Sequence, residues 1–100
     1  MNKNYLKITQ PKDRHTGTMW VTEYAYNENR EEYVMVDQSQ VQIPEDIYYE
    51  IEDRCKYNPR VSLAGVQITG GLQERLITAL VLSNIISLHK AARHKQEAKR

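Results

Sequence analysis

GLQERLITALVLSNIISLHKAARHK, residues 71–95, is the stretch on which the reading of this chain turns. Placed at roughly 100° per residue, Leu72, Leu76, Ala79, Leu80, Leu82 and Ile86 cover one half of a helical wheel, and Ile77, Val81, Ile85 and Leu88 cover the other. No face is left for water. A helix that is apolar all round must be enclosed, yet a chain of 100 residues buries only about 60 to 65% of the surface its unfolded form exposes. Self-association is therefore expected, with Leu76, Leu80, Ser83, Ser87 and Leu88 at the interface between copies. Ser83 and Ser87, one turn apart, would either fix register across such a dimer or bond back to carbonyls of the preceding turn.

A strand is the rival assignment, because Ile77, Thr78, Val81, Ile85 and Ile86 are β-branched. Length decides for a helix, since buried strands run ~4 to 8 residues and no Gly or Pro interrupts this stretch before Lys90-Ala91-Ala92-Arg93. The apolar run from Leu76 to Leu88 falls short of the ~20 residues needed to cross a bilayer, so no membrane span is expected.

Upstream, Asn4 to Thr9 alternates, with Leu6 and Ile8 on one side and Tyr5 and Lys7 on the other, as a half-buried strand does. Pro11, Asp13 and Gly17 mark a loop, after which Thr18 to Tyr26 alternates Trp20, Thr22, Tyr24 and Tyr26 against Met19, Val21, Glu23 and Ala25. Asn27 to Arg30 supplies a turn, and Glu32 to Val36 resumes an extended pattern, with Val41 and Ile43 as an optional continuation; a hairpin is the simplest reading. Pro44 suits a first helical position with Glu45 and Asp46 behind it, Ile47, Ile51 and Cys55 recur every four residues, and Asn58-Pro59 ends the helix. Val61, Leu63, Val66 and Ile68 then read as a strand whose phase changes at Gly65, where a bulge would restore one apolar face. The expected fold class is α+β: a small antiparallel sheet in β-β-β-α-β-α order packed on the long C-terminal helix. All of residues 1–100 are read as one α+β domain, with a basic end that frays from about residue 95.

Composition is globular, 40% hydrophobic and 27% charged, which argues against a disordered chain. Seven Tyr and one Trp beside no Phe favour aromatic surfaces whose polar atoms reach water or a partner. Cys55 has no second cysteine to pair with and the amino terminus lacks the apolar run of a signal peptide, so a cytoplasmic protein is expected. Net charge is +1, but residues 23–54 carry ten carboxylates against Arg30 and Arg54, a balance of −8, while both ends are basic.

Chemistry-bearing groups are few. Lys12, Arg14 and His15 share one loop with Asp13 and form the alternative ligand-binding site, for a nucleic acid or a phosphorylated nucleotide together with the basic tail. A small hydrolase built on His15 is a second alternative that lacks an identified nucleophile or base partner. Cys55 sits on the apolar stripe of its helix and reads as core. His89 and His94, five apart, point about 140° away from each other on a helix, so no metal site and no cofactor is expected. Gly70-Gly71 lacks the Lys and Ser or Thr of a phosphate loop. Trp20, Tyr24, Tyr26 and Tyr33 form an aromatic strip, but the acids of the same hairpin oppose phosphate there.

The expected function is that of a small non-catalytic, oligomeric binding or regulatory protein, an inhibitor that docks an acidic surface on a basic nucleic-acid-handling protein. The expected contacts are Glu28, Glu31, Glu32, Glu45, Asp46, Glu50 and Asp53, with Tyr48 and Tyr49 as aromatic anchors.

Overall fold

Alternation in the first 42 residues builds a sheet. The computed structural model describes residues 4–10, 17–67 and 69–87. Strands β1 (Tyr5–Thr9), β2 (Thr18–Asn27) and β3 (Glu32–Gln42) are followed by α1 (Glu45–Tyr57), β4 (Arg60–Ser62) and α2 (Leu72–Leu82). The strands form one antiparallel sheet in the order β3-β2-β1-β4. The expected α+β class and element order are therefore present, with both helices on one side.

The inner face carries Leu6, Ile8, Met19, Val21, Val41 and Val61, all buried, and Ile47 and Ile51 of α1 join Leu72, Leu76, Ala79 and Leu80 of α2 in the same core. Helix α2 lies against both β3 and β4, so it crosses the sheet from edge to edge. Gln73 Nε2 donates to the Gln42 carbonyl at 3.1 Å and ties the start of α2 to the end of β3. Helix α1 begins one residue later than expected, because Pro44 is extended at φ −60°, ψ 140° and acts as the N-cap. It ends at Tyr57, as expected, with Asn58 as the C-cap, whose N–H still bonds the Arg54 carbonyl at 3.0 Å before Pro59 stops the ladder.

Two expectations about the last third of the chain are corrected. The bulged strand through Gly65 is instead a three-residue strand and a turn, with Gly65 at φ +83° and Val66 N–H bonded to the Leu63 carbonyl at 3.0 Å. The long helix over 71–95 is an eleven-residue helix that closes at Ser83. Asn84 takes φ +59°, its N–H bonds the Val81 carbonyl at 3.0 Å, and the Ile85 N–H reaches back to the Leu80 carbonyl at 2.9 Å. This is a Schellman ending with Asn in the left-handed position that glycine usually fills. Ile85 and Ile86 then fold back onto the core instead of prolonging the helix. Among the described residues, no helix is long and apolar enough to cross a membrane. Leu88, the basic tail and its fraying end lie outside the described residues, as do Lys12, Arg14 and His15.

Candidate binding surfaces

Period-2 geometry sorts the side chains of each strand onto two faces, and the sheet presents them very differently. The outer face, which no described helix covers, is arranged in rows fixed by the strand register: Met35, Tyr24, Tyr5 and Ser62, then Gln38, Thr22, Lys7 and Arg60, then Gln40, Trp20 and Thr9. Tyr5 stacks on Tyr24 with ring centroids 5.1 Å apart, Tyr33 meets Tyr5 and Tyr26 edge-on at 4.9 and 5.3 Å, and the Arg60 guanidinium lies 5.2 Å from the Tyr5 centroid. Cross-strand amide-hydroxyl pairs continue the face, with Gln38 Nε2 donating to Thr22 Oγ1 at 3.0 Å and Gln40 Nε2 to Thr18 Oγ1 at 2.8 Å. Trp20, 39% exposed, stands among these pairs. Among the described residues no other ring stacks on it.

The buried part of the inner face contains one carboxylate where alternation alone would place an apolar side chain. Glu23 follows Met19 and Val21 into the core, where Arg75 Nη1 of α2 donates to its Oε1 and Asn4 Nδ2 donates to its Oε2 at 2.9 Å. Arg75 Nη2 stands 3.6 Å from Asp37 Oδ2 on the neighbouring strand. A buried charge of either sign needs such a partner, since isolation in the core costs several kcal/mol. Between Glu23 and Tyr24 the β2–β3 register shifts and leaves Val36 as an extra residue on β3. Beside Arg75 a cleft of about 480 Å³ opens between the Gly65–Gln67 turn and Thr69, Gly70, Glu74 and Thr78. Sequence reasoning missed the ion pair. Its one visible signal was a carboxylate in phase with core residues.

The expected partner-binding residues divide into two groups. Glu28 and Glu31 are exposed in the β2–β3 turn, and Glu32 opens β3, where it pairs with Arg30 at 2.8 Å. Glu45, Asp46, Tyr49, Glu50 and Asp53 are exposed on α1, which begins beyond the other end of β3, on the order of 30 Å from the turn by strand rise. Tyr48, expected as an anchor, is a core residue at 7% exposure, because it lies one turn from Ile51 on the buried side. Tyr57, not singled out from sequence, is 80% exposed and continues the line Tyr49, Asp53, Tyr57 at helical spacing.

Leu76 and Leu80, expected between copies, have no exposed surface, being enclosed by this chain's own sheet and α1. Leu82, Ser83 and Ser87 remain exposed. Cys55 packs at the margin of the core, and burial, with the nearby Glu52 carboxylate as a lesser cause, pushes its thiol up to about 11. It is thus a poor nucleophile. Among the described residues no group of three or more His, Cys, Asp or Glu is placed to hold a metal ion. No family model, no curated protein and no solved structure matches the chain.

Proposed function

We propose that this is a binding protein that acts by docking, a regulator or inhibitor whose α1 surface engages a basic protein such as one that handles nucleic acid. The observation that carries the reading is the exposure of Tyr49 and Tyr57, 70% and 80%, on a helix face that also carries Glu45, Asp46, Glu50 and Asp53, with Lys56 as its one base near the carboxyl end. Tyr49 meets the buried Tyr48 ring edge-on at 5.8 Å but keeps most of its surface in water, as Tyr57 does, and that exposed surface adds little to the fold of one chain. Tyr supplies contact area at low entropic cost and is enriched among the residues that dominate interface energies. The carboxylates around them accelerate encounter with a cationic surface and fix its orientation. A target whose natural ligand is a polyanion would be blocked in this way. Support for self-association through α2 is narrower, because only Leu82 of its large apolar side chains is exposed.

Capture of partners from the native host, with the wild type and the Tyr49→Ala/Tyr57→Ala variant side by side, tests the reading. The purified partner should bind the double variant at least tenfold more weakly, a loss typical of interface anchors. Glu45→Lys with Asp46→Lys should slow association and flatten its dependence on salt, folding being checked separately because both charges also favour the start of α1. Partner binding that is indifferent to all four positions removes α1 from the interface.

A further inference from the structure

We infer that the outer face of the sheet binds single-stranded nucleic acid, with Trp20 as the platform on which a base stacks and Lys7 and Arg60 as contacts to the phosphates. Charge is the first reason. The hairpin is acidic in sequence, yet alternation sends Glu23 and Asp37 to the inner face toward Arg75, and Glu28 and Glu31 lie in the turn at the far end of β2 from Trp20. What remains on the outer face of the four strands is Lys7 and Arg60, adjacent in register, without a carboxylate among the described residues of that face. A surface that reads as repulsive in sequence is attractive to phosphate once folded.

Ring geometry is the second reason, and it selects one aromatic of several. Tyr5 is taken up by Tyr24 on one side and by the Arg60 guanidinium, while Tyr26 and Tyr33 meet edge to face. Their rings already have partners. Trp20 is the exception, and an indole left 39% exposed on the outer face of a sheet is the kind of surface on which an unpaired base stacks irrespective of its identity. Gln40, directly across on β3, and Gln38, one row further along, are exposed; their amide nitrogens are held by Thr18 and Thr22, which orients the amide oxygens as acceptors for base edges. A duplex keeps its bases stacked inward and cannot use this platform, so the ligand is a single strand.

Trp20 is the only tryptophan, so its fluorescence reports the event directly. A fluorescein-labelled oligothymidylate of about ten nucleotides, long enough to span one such site, should raise anisotropy at low salt, and its unlabelled form should quench Trp20 in the same concentration range. With two phosphates neutralised, the logarithm of the affinity should fall against the logarithm of salt with a slope of about −1.4. Trp20→Leu should weaken binding about tenfold or more, as loss of one base stack does, and Lys7→Glu/Arg60→Glu should abolish it, far-ultraviolet circular dichroism being unchanged in both. Duplex DNA of equal length should compete poorly. Absence of quenching at concentrations where nonspecific binding is ordinarily seen overturns the inference. Competition by dextran sulfate as strong as that of the oligonucleotide, with Trp20→Leu unaffected, overturns it equally, since that outcome describes attraction to any polyanion.

Discussion

The two sides of β2 solve the same problem in opposite ways. Thr22 and Glu23 are neighbours in sequence, both 5% exposed and both polar, but Thr22 faces outward and Glu23 inward. Thr22 is satisfied by Gln38, directly across on the adjacent strand, whereas Glu23 is satisfied by Arg75, 52 residues away on the last described helix. Loss of the outer contact leaves a hydroxyl that water can still approach from the open face. Loss of the inner one leaves an ion in the core. The outer pairs therefore set strand register, and the inner pair ties α2 to the hairpin so that other placements of the helix strand a buried charge.

The largest effect expected from that difference comes from Arg75→Met, which leaves Glu23 buried with Asn4 as its remaining side-chain partner among the described residues. It should destabilise the protein by about 3 to 5 kcal/mol, a large share of the ~5 to 15 kcal/mol typical of a domain. Gln38→Ala, its counterpart on the outer face, should cost about 1 kcal/mol. Urea denaturation compares them. Adding Glu23→Leu to Arg75→Met removes both charges and should recover most of the loss. If the double variant is as unstable as the single one, the guanidinium holds α2 by packing and not by charge.

Much of this sheet is legible in the sequence, because Leu6, Ile8, Met19, Val21 and Val41 alternate with polar or aromatic neighbours and Pro44 and Asn58-Pro59 bracket α1. The end of α2 was not. Apolar residues continue past Leu82, but Ile85 and Ile86 are apolar because the chain turns back onto the core through Asn84, so hydrophobicity there follows burial and not helix. The bulge at Val36 hides in the unbroken run Tyr33-Val34-Met35-Val36, which carries no phase to lose. The candidate surfaces were half legible. Acidity and aromatic content can be counted, but which carboxylates share a face with which rings depends on strand order, and local pattern does not encode the reach from Glu23 to Arg75.

A smaller effect separates the outer aromatics from one another. Tyr24 is stacked on Tyr5, an arrangement worth about 0.5 to 1.5 kcal/mol beyond the area it buries, so Tyr24→Leu should lower stability by about that amount. Trp20→Leu should stay within about 0.5 kcal/mol, as substitutions away from packed features do. Thermal or urea unfolding of the pair decides whether Trp20 is held by the fold or left available to a ligand. A cost at Trp20 equal to that at Tyr24 would mean that the indole is already packed, and the stacking platform would be lost with it.

The smallest effect measures how dry the helix side is. Cys55 is half-buried at the margin of the core, and its thiol is pushed up from 9.0 to about 11, by burial first and by the Glu52 carboxylate second. Burial thus favours the neutral thiol in the folded chain, while the unfolded chain ionises at the ordinary value. The resulting stability is fully present below pH 9.0 and is lost as pH rises through 9.0 toward 11. Tyrosines and lysines titrate over the same range, so the quantity to measure is the urea midpoint of the wild type minus that of Cys55→Ala at each pH. That difference should be flat below pH 9.0 and decline above it, and iodoacetamide should modify the native thiol more slowly than the unfolded one throughout. A difference that stays flat to pH 11 would put Cys55 in surroundings as wet as the outer face, and the contrast between the two sides of the sheet would stop at α2 instead of extending to α1.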